Sequence, residues 1–264
     1  MASDDCLNYS CDQFLLFGDS IVERSVAQNS GGLSMQAALA EKYIRRLDIV
    51  NRGFNGYNTR QALKILPHVV PDPRIQRVRL MIILFGANDA GHGVPYKEPG
   101  LHVPLDEYRD NLSKIITHPS LKPHQPRLIL ITPPPLEERL MAQRVIDSGL
   151  EPMVWTNAQT KTYADAVLDV AKDLDIPSLD LFTILLKKAG WKIGQPFPGA
   201  ADQPVNELMR RLVIDGIHIS AEAYRILEEG LMQLVRHNWP DLLPDALPFA
   251  FPNWDDKIWS RDEL

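Results

Sequence analysis

The feature that most restricts the fold is a repeated punctuation, in which short, wholly apolar runs stop at a glycine. Phe14-Leu15-Leu16-Phe17 ends at Gly18, and Leu80-Met81-Ile82-Ile83-Leu84-Phe85 ends at Gly86. Runs this short, with no polar residue to face water, read as strands buried on both faces, the pattern of a parallel sheet covered by helices. Asp48 to Gly53, Arg127 to Thr132 and Ile176 to Leu181 supply three weaker strands. Helical stretches fall between them. Ser34 caps one that runs to about Arg46, with Met35, Leu39, Tyr43 and Leu47 on one stripe. Thr59 to Leu66 is a second, stopped by Pro67. Leu105 to His118, Asn157 to Leu174, Leu181 to Ala189 and the Ser220-capped Ala221 to about His237 follow, with a helical turn at Asn206 to Leu212. Strands alternating with helices make βαβ units, hence an α/β domain with a five-stranded parallel sheet between helical layers.

Ile21 to Leu33, with its Asn29-Ser30-Gly31-Gly32 signal, and Ala87 to Pro104 read as loops. The second is about 18 residues long, enough to suspect a function. Leu136 to Trp155 fits no period. Residues 1–237 form the domain; residues 238–264 are a tail rich in proline and aromatic residues, expected to wrap the domain or a second copy of the chain, a homodimer.

The charge balance narrows the function classes. Lys plus Arg total 28 against 34 Asp plus Glu, a net charge of −6, which argues against a nucleic-acid partner. No apolar stretch approaches the roughly 20 residues that span a bilayer. The first dozen residues carry no secretory pattern, so the expected location is cytoplasmic, and the terminal Arg261-Asp262-Glu263-Leu264 reads as a chance likeness to a retrieval tail. Cys6 and Cys11 are expected to be free thiols.

In a parallel sheet, the carboxyl ends of the strands share one edge, where ligands bind. Gly18-Asp19-Ser20, Gly53-Phe54-Asn55-Gly56 and Gly86-Ala87-Asn88-Asp89 all fall at such ends. Near the C-terminus, Asp215 and His218 stand three residues apart in a turn opened by Gly216. The chemistry of these groups is complementary. A serine hydroxyl needs a base to become a nucleophile, a neutral imidazole is that base near pH 7, and a carboxylate fixes its tautomer. An oxyanion formed on attack needs donors, for which the backbone N–H groups of Ser20 and Gly53 and the side-chain amide of Asn88 are candidates. Asp19 and Asp89 are expected to brace these loops, and Asn55 the Gly53 turn. His92 and His102, in the loop after Asn88, are weaker candidates for the pocket lining. The histidines lack metal-ligand spacing, so no metal is expected. There is no Gly-x-Ser-x-Gly elbow and no Gly-x-x-x-x-Gly-Lys phosphate loop.

In order and spacing, Gly18-Asp19-Ser20, Gly53, Gly86-Ala87-Asn88-Asp89 and Asp215-Gly216-Ile217-His218 resemble the blocks of the GDSL/SGNH hydrolase family over roughly residues 13 to 237. Phe14 to Ile21, Arg52 to Tyr57 and Leu84 to Ala90 resemble its fungal isoamyl acetate-hydrolysing esterases. The resemblance implies a flavodoxin-like three-layer α/β/α fold, no cofactor, and hydrolysis of small carboxylic esters through an acyl-serine on Ser20. Two other readings stay open: an acyltransferase using the same acyl-serine, and a non-catalytic flavodoxin-like binding module. Gly91 to Pro104 and Leu136 to Trp155 are expected to wall the pocket.

Overall fold

The computed structural model describes residues 11–27, 32, 34–93, 100–148 and 153–256. Cys6, Asn29 to Gly31, parts of both suspected pocket walls and the terminal four residues lie outside them; Cys11 is a free thiol. Five parallel strands build the main sheet: β1 (Asp12–Gly18), β2 (Leu47–Gly53), β3 (Val78–Leu84), β5 (Arg127–Ile131) and β7 (Ser178–Leu179), in the order β2-β1-β3-β5-β7. Counting only these five, the order is the flavodoxin-like one, with its switch point between β1 and β3.

The two apolar runs occupy neighbouring interior strands, β1 and β3. Phe14, Leu15, Leu16 and Phe17 are fully buried, and burying each is worth roughly 1.5–3 kcal/mol. Alternate residues feed two separate cores. Phe14, Leu16, Leu80 and Ile82 face α2 (Met35–Lys42), α7 (Leu181–Lys188), α8 (Glu207–Leu212) and α9 (Ala221–Asn238). Leu15, Phe17, Met81 and Ile83 face α3 (Thr59–Val69), α4 (Leu105–Ile116) and α6 (Asn157–Asp173). The result is the expected three-layer α/β/α arrangement.

Four local expectations change. The stretch after Asp19 is not all loop: Ser20–Glu23 forms the short helix α1, capped by Asp19, followed by a 3-10 turn at Arg24–Val26. Pro67 does not stop α3, which continues to Val69; near the end of a helix a proline forfeits only one N–H donor before the chain leaves. Within Ala87 to Pro104, His92–Gly93 form a two-residue strand, β4, antiparallel to β6 (Met153–Val154). Glu138–Asp147 is a helix, α5, capped by the Glu137 carboxylate on the Leu140 N–H.

The tail runs back over the start of β2. Leu242 and Leu247 are buried, and the Tyr43 hydroxyl donates to the Leu242 carbonyl at 3.1 Å. Phe249 is held by two guanidinium groups, with Arg45 and Arg46 at 4.3 and 4.4 Å from its ring centre. The Ala250 N–H donates to the Arg45 carbonyl at 2.8 Å.

Candidate active site

Ser20 is placed by the end of β1. The Asp19 N–H donates to the Leu84 carbonyl at 3.2 Å, tying the turn to β3, and Asp19 Oδ1 accepts the Ile21 N–H at 2.8 Å. Ser20 therefore opens α1 with its own N–H free of partners among the described residues, as first-turn amides of helices are. Asp215 and His218 come from a tight loop outside the sheet. Val213 and Ile219 bridge in antiparallel fashion, and the Ile214 N–H donates to the His218 carbonyl at 2.9 Å. Gly216 forms the tip at φ +98°, and a Cβ there would lie 2.2 Å from the Met141 nitrogen on α5.

The loop meets the serine. His218 Nε2 lies 2.8 Å from Ser20 Oγ across 198 residues of sequence, and His218 Nδ1 lies 2.7 Å from Asp215 Oδ2. Asp215 Oδ1 accepts the backbone N–H of His218 at 2.9 Å, which fixes the carboxylate relative to the ring. An ionised carboxylate only accepts, so Nδ1 carries the ring proton and Nε2 is left to accept from the serine hydroxyl. Ser20 and His218 are 4% and 2% exposed, so the pair is largely shielded from water.

The candidate donors are arranged differently from the expectation. The Gly53 N–H is already spent: it donates to Asn51 Oδ1 at 2.9 Å. Its glycine has a packing reason instead, since a Cβ would sit 1.9 Å from the Glu23 nitrogen on α1. Asn55 does not brace this turn through its side chain; its backbone N–H donates to Glu23 Oε2 at 2.6 Å, while Asn51 supplies the brace. Three residues beyond Gly53, the Gly56 N–H has no partner among the described residues. Asn88 Nδ2 donates to the Tyr57 carbonyl at 2.8 Å, which brings its second N–H beside the Gly56 turn.

Residues 16–226 match the GDSL-like lipase/acylhydrolase family. The chain belongs to this family. It is 35% identical over 254 residues to the isoamyl acetate-hydrolyzing esterase 1 homolog of Bos taurus, covering 95% of this chain and 90% of that protein. It is 32% identical over 242 residues to the GDSL esterase/lipase CPRD49 of Arabidopsis thaliana, covering 90% and 85%. Among solved structures, a lipase/acylhydrolase from Enterococcus faecalis superposes with a TM-score of 0.55 at 20% identity, covering 86% of this chain and 96% of that one. A catalytic mutant of an acetylxylan esterase from Geobacillus stearothermophilus gives 0.54 at 21%, covering 86% and 94%. The fold and the class, a carboxylic ester hydrolase of the GDSL group, are thereby fixed.

In this GDSL hydrolase, charge is distributed unevenly around the site. Burial lowers the His218 pKa, the Asp215 contact opposes that, and Arg24 and Arg144 add to the lowering. Burial alone would raise the Asp215 pKa, but hydrogen bonds from the His218 ring and backbone outweigh it and hold the carboxyl well below its ordinary range. Sequence reasoning missed the two arginines. Arg24 Nη1 lies 3.4 Å from Asp215 Oδ2, and Arg144 on α5 pairs with the same oxygen. The only signal for Arg24 was its position four residues after Ser20; Arg144 had none. Asp19 and Asp89 are fully buried braces. Burial pushes Asp19 up to about 8, against the Ile21 N–H, and Asp89 up to about 6, against hydrogen bonds from Thr59. Asp89 Oδ1 accepts the Thr59 N–H at 2.9 Å and its hydroxyl at 2.6 Å, pinning the start of α3. His102 Nδ1 contacts the Asp89 carbonyl at 3.0 Å, a structural bond, and His92 sits in β4. Among the described residues, no group of three or more His, Cys, Asp or Glu side chains is arranged to hold a metal, and no helix is long and apolar enough to cross a membrane.

Proposed function

We propose that this hydrolase cleaves small carboxylic esters, chiefly acetates of short-chain alcohols, through an acyl intermediate on Ser20. The observation that carries the reading is the 2.8 Å contact between Ser20 Oγ and His218 Nε2, backed by Asp215. His218 Nε2 takes the hydroxyl proton as Oγ attacks the ester carbonyl carbon. The carbonyl π electrons move to oxygen, and the resulting oxyanion is received by the N–H groups of Ser20, Gly56 and Asn88. His218 then returns its proton to the departing alkoxide, which leaves as the alcohol. In the second half, His218 deprotonates a water that attacks the acyl carbon, and Ser20 is released with the acid. Donors aimed at the developing charge supply the largest share of such rate gains. Gly56 replaces Gly53 in this scheme because its N–H is uncommitted. The acetate preference rests on two similar proteins, one named for isoamyl acetate and the other for acetylxylan.

A fluorophosphonate probe tests the intermediate. It should label the wild-type chain at Ser20 and leave Ser20→Ala unlabelled; equal labelling of the two would end the reading. The substrate is tested by comparing kcat/KM on isoamyl acetate, butyrate and octanoate esters. A preference for the octanoate would remove the acetate assignment and leave the serine chemistry standing.

A further inference from the structure

The turn that carries Asn88 is held by a complete set of bonds. Each carbonyl from Phe85 to Asp89 has a partner. Phe85 accepts the Tyr108 hydroxyl at 2.8 Å, Gly86 the Ala90 N–H at 3.0 Å, Asn88 the Gly91 N–H at 3.1 Å and Asp89 the Val103 N–H at 3.2 Å. The carbonyl directly before Asn88, that of Ala87, accepts the indole Nε1–H of Trp155 at 2.9 Å in a buried setting. Trp155 arrives from elsewhere in the chain. It follows β6, whose pairing with β4 lays the ribbon alongside this turn. The ring itself closes on Gly91, where a Cβ would fall 2.4 Å from a ring carbon. The tryptophan is 6% exposed, and the residues after it are fixed: Thr156 caps α6, and the buried Asn157 exchanges bonds of 2.8 and 3.0 Å with the Leu136 backbone.

We propose that Trp155 is a positioning residue for this reaction: its indole N–H holds the Ala87 carbonyl, and its ring holds Gly91, so that the Asn88 amide is aimed at the oxyanion. This rests on the reading of Asn88 as an oxyanion donor. The reason is geometric. The Asn88 side chain has one N–H committed to Tyr57, so the aim of the other depends on the Cα–Cβ direction, which the peptide planes on either side of Asn88 set. The plane before it is fixed by Trp155 and the plane after it by the Gly91 contact. A buried carbonyl without a donor would rotate to find one, and the amide would turn with it.

A double-mutant cycle on p-nitrophenyl acetate tests the proposal. Trp155→Phe keeps an aromatic ring and deletes the donor. It should lower kcat about tenfold, the size of one hydrogen bond of about 1.4 kcal/mol, with KM within about twofold. In an Asn88→Ala background, the same substitution should cost less than about twofold, because the group it aims is gone. If Trp155→Phe costs the same tenfold in both backgrounds, Trp155 is merely structural and the proposal falls while the Asn88 reading survives. If Asn88→Ala alone keeps wild-type kcat, both fall. Should Trp155→Phe fail to fold, 3-benzothienylalanine at position 155, which replaces only the N–H by sulfur, takes its place in the cycle with the same two outcomes.

Discussion

The two halves of the proposed active site are built by different means. Ser20 and Asn88 stand just beyond the ends of β1 and β3, neighbouring strands whose residues are almost entirely buried. Asp215 and His218 stand in a short loop that never joins the sheet, held by one antiparallel bridge, by close backbone packing on α5 and by ionic contacts from Arg24 and Arg144. The half that carries Ser20 is thus fixed by the hydrophobic core, which tolerates little displacement. The half that carries His218 is fixed by local bonds and by charge, which respond to pH and salt. Burial of the ring at 2% exposure still gives His218 a defined place, but the forces that aim it are electrostatic.

Substitutions can break or sharpen that contrast. The largest effect is expected for Ser20→Ala, a loss of about 10⁴-fold or more in kcat with an unchanged melting curve, since only an oxygen at the edge of the core is removed. Asn88→Ala should cost about 10²–10³ in kcat, the usual loss of one oxyanion donor, again with little change in Tm. On the loop side, Gly216→Ala should do both kinds of damage. It forces a side chain into φ +98° and into backbone atoms of α5, so stability should fall by roughly 2 kcal/mol or more and kcat with it; denaturant melts and kcat on one preparation check the pairing.

Smaller effects belong to charge. Because burial lowers the His218 pKa, kcat/KM should be level through neutral pH and fall only below the ordinary histidine range near 6.5. Arg144→Gln removes a cation that opposes the imidazolium, so the ring should protonate more readily. The acid limb should move to higher pH by about half a unit; a pH–rate profile that does not move, or moves down, would count against an electrostatic hold on the loop. Asp19 offers the counterpart on the sheet side. An unfolded aspartate releases its proton near pH 3.9, whereas Asp19 in the fold keeps it to about 8. Its contribution is therefore complete at acid pH and is lost as pH rises through that interval. Asp19→Asn keeps the cap acceptor without the ionisation, and its Tm should fall less than that of wild type between pH 5 and 9.

The same contrast explains what could be read from the residues alone. β1 and β3 were legible because unbroken apolar runs closed by a glycine fit strands buried on both faces, and the meeting of Ser20 with Asp215 and His218 was legible because hydroxyl, carboxylate and imidazole were each tied to a turn signal. β4 and β6 were not, since two residues carry no period. α1 was hidden in a polar stretch whose helix is set by the Asp19 cap and by burial of Ile21 and Val22. Gly53 was read as a donor from its place at a strand end, but a glycine in a sequence does not say whether its N–H is uncommitted or, as here, donated to Asn51, beside the backbone of Glu23.

The seating of Phe249 between Arg45 and Arg46 has a practical corollary. β2 begins at Leu47 and runs seven residues to Gly53, about 20 Å at the rise of a strand. The anchored tail therefore lies at the far rim of the sheet from the chemistry. A fluorophore or an immobilising support joined beside it, at the exposed Pro248, would be tethered behind the molecule, on the side away from Ser20.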